Sequence, residues 1–227
     1  MPKSSQPIPP SKGELEQHCS VHGDHCPFAE ELHKCQEELV ALHAFVRMDE
    51  LTGLFNYRHF VHSLDVEMER VRRSGLSLSL IMMDVDHFKE FNDRWGHESG
   101  NIALKQLART VQATVRRSDI PCRYGGEEFA ILLPDTVITD AVRLAERLRS
   151  NISEISLTIE GEQISLSASF GVDAFSENEN LDATRFIARA DSYLYAAKEA
   201  GRNCVRHAPS RLETHVSNEE RDLLLGG

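Results

Sequence analysis

The stretch Ile120-Pro-Cys-Arg-Tyr-Gly-Gly-Glu-Glu-Phe-Ala-Ile-Leu-Leu-Pro134 decides the fold. Its arms, 120–124 and 128–134, are short and apolar, and the Gly-Gly pair between them marks a tight reversal, so a hairpin is predicted. Upstream, Leu76-Ser-Leu-Ser-Leu-Ile-Met-Met-Asp84 is apolar for much of its length, as a central strand would be. Outward from these strands, a helix over 56–74 follows a turn at Thr52-Gly53. A short helix over 86–94 and a longer one over 99–116 flank Gly96 and Gly100. Helices over 137–152 and 182–200, with strands over 154–159 and 163–173 around Glu160-Gly161-Glu162, complete one α/β domain spanning 48–208. No internal repeat is visible, and the tail over 209–227 reads as loosely ordered.

The chain has 227 residues, 41% hydrophobic and 27% charged, enough for one domain with a real core plus an appendage. Lys+Arg of 25 against Asp+Glu of 36 gives a net charge of −11, which argues against nucleic acid or an anionic membrane as a partner held by bulk charge. No apolar run is long enough to span a membrane, and the start carries no secretory h-region. Five irregularly spaced Cys suggest reduced thiols, and the expected location is cytoplasmic.

Residues 1–13 carry four Pro with Ser, Gln and Lys, a composition expected to be disordered. The His/Cys-dense stretch 18–26 opens a segment, 14–47, that continues as a helix. There Phe28, Leu32, Cys35, Leu39, Leu42 and Val46 repeat at spacings of 4, 3, 4, 3 and 4, the seam of a coiled coil. So short a helix is marginal alone and is expected to dimerise as a stalk, the alternative being an ordinary amphipathic helix on its own domain. His18, Cys19, His22, His25, Cys26, His33 and Cys35 are ligand types that zinc prefers, but their spacing fits no zinc ribbon or finger; the plainer reading is soft polar residues in a lead-in.

Two acidic clusters sit at predicted strand ends, Asp84-Val85-Asp86 and Glu127-Glu128. Carboxylates grouped in this way repel unless a cation or a proton holds them together. A few hard oxygens suit Mg²⁺ (or Mn²⁺), which fills its shell with water and substrate phosphate. Gly125 and Gly126 leave the backbone bare for a bulky ligand. Lys89 lies in a helix-starting segment suited to phosphate, and Lys198 and Arg202 share a face near the end of the last helix.

The sequence resembles the GGDEF domains, the diguanylate cyclases, in their GGEEF variant. Arg123-Tyr-Gly-Gly-Glu-Glu-Phe129 is similar to the signature, Asp49-Glu-Leu-Thr-Gly-Leu-Phe-Asn56 to the opening segment, and Asp84-Val-Asp-His-Phe-Lys-Glu-Phe-Asn-Asp93 to the metal and phosphate segment. Gly96-His97, Ser169-Phe-Gly171, Ala190-Asp191, Tyr195-Ala-Ala-Lys198 and Gly201-Arg-Asn203 continue the match in order. The resemblance implies a mainly antiparallel central sheet flanked by helices, like the palm of nucleotide cyclases. It also implies condensation of two GTP into cyclic di-GMP with release of two pyrophosphates across a homodimer. On the same basis Asp84, the Val85 carbonyl and Glu127 would hold divalent metal, with Glu128 as a further ligand, and Glu127 would take the proton from the attacking hydroxyl. His87 and Phe88 would offer backbone N–H groups to phosphate, Lys89 would stabilise the growing charge, and Lys198 and Arg202 would grip the triphosphate. Asn92 would bind the guanine edge, with His97 nearby.

One position departs from the family. Asn101 stands where the family usually has Asp, presenting an NH₂ donor where guanine offers two donors of its own, so weaker GTP binding or poorer discrimination against ATP is expected. Arg116-Arg-Ser-Asp119 is in register with the family's Arg-x-x-Asp product-inhibition site, which Arg143 or Arg147 would complete around cyclic di-GMP. The leading reading is a compact cyclase whose N-terminal helix dimerises and could receive a regulatory protein. A catalytically weak cyclic di-GMP receptor, favoured only by Asn101, is the alternative.

Overall fold

The computed structural model describes residues 47–209, together with Glu31, Lys34, Cys35, Glu37 and Glu38, which are helical. The chain divides after Val46 into two units, and the description below concerns the second. The Pro-rich start, the His/Cys lead-in, the heptad seam apart from Cys35, and the tail from 210 onward lie outside the described residues.

The element order is β1 (Phe55–Asn56), α1 (Tyr57–Ser74), β2 (Leu78–Val85), α2 (Phe88–Thr114), β3 (Ile120–Arg123), β4 (Glu128–Pro134), α3 (Ile138–Ser153), β5 (Ser156–Ile159), β6 (Glu162–Ser165), β7 (Ala168–Phe175), α4 (Ala183–Glu199) and β8 (Val205–His207). Six strands form one sheet in the order β1-β3-β4-β2-β7-β8, while β5 and β6 pair separately. The inner pairings β3/β4, β4/β2 and β2/β7 are antiparallel, and the outer ones are parallel. This is the mixed α/β architecture expected, a central sheet flanked by helices.

Every residue of β2 is buried, because both sheet faces are covered. Ile81, Met83 and Val85 face the layer built by Leu104, Leu107 and Val111 of α2 and Leu144 and Leu148 of α3. Leu78, Leu80 and Met82 face Phe60, Leu64 and Met68 of α1 and Phe186 and Leu194 of α4. That double burial is why the strand reads as an apolar run without strict alternation. Helix α1 starts where Asn56 accepts a 3.0 Å bond from the His59 N–H and stops at Gly75, which has φ 71°. At Gly171 of β7 a Cβ would collide with the α4 backbone at Leu194 and Ala190, so the missing side chain sets how closely that helix lies on the sheet.

The two helices expected over 86–94 and 99–116 run together as α2 with a kink between them at Gly96, where the backbone is not helical (φ 79°, ψ 160°); Gly100 lies inside the second of them. Two predictions need correction. The strand expected over 163–173 splits into β6 and β7, because buried Leu166 turns into the core and Ser167 accepts a 2.9 Å backbone bond from Asp86. The short edge strands β1 and β8 carry too few residues to show a period, and both were missed.

Candidate active site

The antiparallel register of β2 and β4 sets Asp84 opposite Glu128, and the Val85 N–H donates to the Glu127 carbonyl at 3.2 Å. Two acidic clusters remote in sequence therefore meet at one end of the sheet. Helix α4 reaches the same place, with Lys198 Nζ 2.8 Å from Asp84 Oδ2. Burial raises the Asp84 pKa above its ordinary 3.8, with Lys198 and Arg202 opposing and Asp86 adding to the rise. Burial also raises Glu127 above 4.5, and the charges of Asp84 and Glu128 push it further while Lys198 opposes. A single lysine does not balance the acids gathered here.

The hairpin tip is shaped by its glycines. The Tyr124 and Gly125 N–H groups both donate to the Glu128 carbonyl, at 2.8 and 3.1 Å. A Cβ on Gly125 would lie 2.5 Å from Glu128 Oε2, whereas one on Gly126 would meet open space. Arg123 braces the tip from beneath, donating to the Gly126 carbonyl from Nε (3.2 Å) and Nη2 (2.8 Å) and to Asp49 from Nη1 (3.3 Å). Asp49 also accepts from the Thr52 N–H and hydroxyl at 2.9 and 2.6 Å. Burial alone would raise Asp49, but the Thr52 bonds and the Arg123 guanidinium outweigh it and hold the carboxyl below 3.8. The sequence assigns no role to Asp49 or Arg123; the Asp-x-x-Thr spacing is the one local signal of a side chain closing its own turn.

Along α2, His87 opens the helix in the left-handed region at φ 57°, with its ring Nδ1 3.1 Å from Glu90 Oε1. Phe88 is buried and stacked on Phe91, and Lys89 is exposed on the first turn, where backbone N–H groups lack intrahelical acceptors. Asn92 Oδ1 is buried with no hydrogen-bond partner among the described residues. Gly100 packs against that oxygen so tightly that a Cβ there would displace it. An orphaned acceptor of this kind suits a donor supplied by a ligand. His97 is exposed just past the Gly96 break, and Asn101, half-buried, follows Gly100 directly.

At the far end of α4, Arg202 is exposed and left-handed at φ 64°. Asp86, which carried no assigned role, is buried and accepts from Ser167 and Ser169 hydroxyls and from the Asn203 N–H.

Among the described residues no three His, Cys, Asp or Glu side chains form a metal cage. The donor set at this end is narrower: two carboxylates whose ionised forms are disfavoured until a cation arrives, beside a backbone carbonyl. That suits a hard ion which takes the rest of its shell from water and phosphate. Cys122 is inert by comparison, its thiol pushed up to about 12 by burial.

Arg116, Asp119, Arg143 and Arg147 line one separate cleft of about 150 Å³ with Leu133, Thr136, Asp140 and Leu144. Buried Asp119 closes its own turn, Oδ2 accepting from the Arg116 N–H at 2.7 Å. Arg147 Nη2 donates to the Thr114 carbonyl at 3.0 Å, and Arg143 pairs with Asp140 at 3.0 Å.

The family described as "Diguanylate cyclase, GGDEF domain" matches residues 46–204. The response regulator PleD of Caulobacter vibrioides is 40% identical over 159 residues, which are 69% of this chain and 35% of PleD; the chain thus spans about a third of the length of such relatives. The crystal structure of the GGDEF domain of DgcB from Caulobacter crescentus, in complex with c-di-GMP, superposes with a TM-score of 0.69 at 32% identity, covering 72% of this chain and 94% of that one. The structure of the diguanylate cyclase SiaD with its activator SiaC, from Pseudomonas aeruginosa, gives a TM-score of 0.69 at 37% identity, covering 80% of this chain and 69% of that one.

Proposed function

This chain belongs to the GGDEF diguanylate cyclase family, and from that premise we propose that it condenses two GTP into cyclic di-GMP and two pyrophosphates. The observation that carries the reading is the meeting of Asp84, Glu127 and Lys198 at one end of the sheet. A Mg²⁺ or Mn²⁺ ion held by Asp84, the Val85 carbonyl and Glu127, with Glu128 as a further ligand, would supply Lewis-acid polarisation of the α-phosphate and acidify the attacking 3′-hydroxyl.

The chain's own groups do the rest. Glu127, with its raised affinity for protons, accepts the hydroxyl proton as the new O–P bond forms and the bond to pyrophosphate breaks. Lys198, now held by Asp84, is free to turn to the triphosphate once another cation takes its place; Arg202 grips the triphosphate with it, and Lys89 offsets the charge that grows on the phosphates. The first-turn N–H groups of His87 and Phe88 cradle phosphate, Gly125 and Gly126 let the nucleotide lie close to the backbone, and His97 flanks it. Asn92 uses its orphaned oxygen to take a guanine N–H. One domain presents one such half-site, so turnover requires a homodimer, which the stalk expected over 14–47 would set. A regulatory protein could act through that helix; the solved SiaD complex is a relative with an activator bound.

We further propose that the Arg116–Asp119 cleft, with Arg143 and Arg147, binds cyclic di-GMP and feeds product back onto activity. The convergence of those four residues in one cleft is also what favours the second reading, a cyclic di-GMP receptor with weak turnover. The deciding experiment incubates purified protein with GTP and Mg²⁺ and separates the nucleotide products, for wild type and Glu127→Ala. Product from wild type alone supports the cyclase; product from neither, with cyclic di-GMP still bound, supports the receptor.

A further inference from the structure

We propose that Asp86 is a positioning residue: it locks the left-handed turn that presents Arg202, and is not itself a ligand. The inference rests on the cyclase reading. Asp86 is 9% exposed and is held by neutral donors, the Ser167 hydroxyl at 2.8 Å, the Ser169 hydroxyl at 2.6 Å and the Asn203 N–H at 3.1 Å. A carboxylate with both oxygens occupied this way is spoken for within the fold.

The turn it holds is costly. Gly201, Arg202 and Asn203 run consecutively at φ 105°, 64° and 43°. Glycine takes such angles freely and asparagine tolerates them, but arginine does so only where its surroundings over-determine the backbone. Those surroundings are visible. The Arg202 N–H donates to the Ala197 carbonyl at 3.1 Å, and Arg149 Nη1 donates to Asn203 Oδ1 at 3.3 Å. Both of these tie the turn to helices. The Asp86 bond instead ties it to the segment that carries Asp84, fixing the cationic end of α4 against the carboxylate end of β2. The charge of Arg202 reaches that end, since it counts among the influences lowering Asp84. Without Asp86 the turn can relax to right-handed angles, swinging Arg202 away, while Lys198, further back on the helix, stays near Asp84.

The test is a double-mutant cycle on the full chain with GTP at saturating Mg²⁺. Asp86→Ala should raise the GTP KM about tenfold, the typical worth of a hydrogen bond to a charged group, while kcat stays within about threefold. Arg202→Ala should do the same, and the double variant should be no worse than either single. Asp86→Asn should remain close to wild type: its carbonyl oxygen can still accept from Asn203 while its NH₂ donates to Ser169. Loss of turnover in Asp86→Asn would make the residue a metal ligand and overturn the inference, as would additive effects of Asp86→Ala and Arg202→Ala. Should Asp86→Ala fail to fold, Ser167→Ala carries the test, with a two- to threefold rise in KM expected and no change overturning the idea. Binding of a non-hydrolysable GTP analogue, measured through the same cycle, separates the two readings. If wild type binds the analogue but makes no product, the cyclase fails while non-additivity still decides the role of Asp86; if wild type does not bind it, both fall.

Discussion

The two ends of the sheet each bury a carboxylate, and they treat it in opposite ways. At one end Asp173 of β7 is 1% exposed and meets Arg189 of α4, whose Nε lies 2.5 Å from Asp173 Oδ2. Arg189 also reaches Glu179 at 2.5 Å and donates to the Ala174 carbonyl at 2.9 Å, so its fork is fully used. At the other end Asp84 has one flexible lysine in contact and the more distant charge of Arg202, and Glu127 and Glu128 add negative charge with no guanidinium paired to them among the described residues. Burial raises the proton affinity of Asp173 as it does that of Asp84, so a raised pKa does not distinguish the ends. What distinguishes them is balance. The closed network is architecture, and the end left with surplus negative charge is where the proposed cation and phosphate would bind.

The largest effects should separate the two ends cleanly. Glu127→Ala should cut kcat about 10²–10⁴-fold, the usual contribution of a general base, with thermal stability in chelator unchanged or higher. Arg189→Met should do the reverse, leaving Asp173 and Glu179 facing each other. Because Arg189 is 39% exposed, the cost should fall somewhat below that of breaking a fully buried pair, about 2–3 kcal/mol, or a melting temperature lower by about 5–10 °C. Product formation per folded molecule should stay near wild type. A Glu127→Ala protein that lost stability as severely as Arg189→Met would erase the contrast between the two ends.

The pH dependence follows from the same asymmetry. For Asp84 and Glu127 the folded values are raised, so the unfolded chain releases its protons first. Their contribution to metal-free stability is then greatest at low pH, falls as pH climbs from the ordinary 3.8 and 4.5 through the raised folded values, and stays lower above them. Asp49 acts in the other direction: its stabilisation is present above 3.8 and is lost as pH falls through its lowered folded value. In chelator, the melting temperature of Asp84→Asn relative to wild type should therefore rise with pH over this range, and that of Asp49→Asn should fall. Metal affinity should strengthen over the same rise, since its ligands must be deprotonated. A wild-type curve that Asp84→Asn leaves unaltered would show that Asp84 bears no such penalty.

How much of this was legible beforehand varies by physical cause. The central strand and the hairpin were readable because double burial and a Gly-Gly reversal leave strong local marks, and the helices because their apolar faces recur. The edge strands were not, since Phe55–Asn56 and Val205–His207 are held by pairing with distant partners rather than by local preference. Asp84, Glu127 and Lys198 could be named from motifs, but that Lys198 faces Asp84 is tertiary information. Asp86 was hardest to read: from sequence it is one more acid in a cluster, and only the hydroxyls of Ser167 and Ser169 and the Asn203 N–H separate its role from that of Asp84.

A smaller effect tests the base end of the site. Asn101→Asp should lower the GTP KM and raise the preference for GTP over ATP, each by roughly tenfold, because a carboxylate accepts both donors of the guanine edge where an amide accepts one. Competition kinetics with the two nucleotides would show it. Unchanged selectivity would mean that Asn92, with its buried oxygen beside Gly100, reads the base alone.

The smallest effect bears on whether Glu128 belongs with the surplus charge or with the architecture. Gly126→Ala places its Cβ in space open within the protein, so stability should shift by no more than about 0.5 kcal/mol, while the GTP KM should rise because the methyl stands where the nucleotide would lie. Gly125→Ala places its Cβ 2.5 Å from Glu128 Oε2, the free end of a side chain that can swing aside at little cost in stability. If Glu128 helps to hold the metal, that displacement should raise the Mg²⁺ concentration for half-maximal activity about two- to fivefold, on the order of 1 kcal/mol or less, with the melting temperature nearly constant. If Mg²⁺ dependence matches that of Gly126→Ala, Glu128 is a spectator. The acids that matter are then Asp84 and Glu127, one on β2 and one in the hairpin turn beside it, and among the described residues the one cation within hydrogen-bonding distance of them is Lys198, on Asp84 and able to let go.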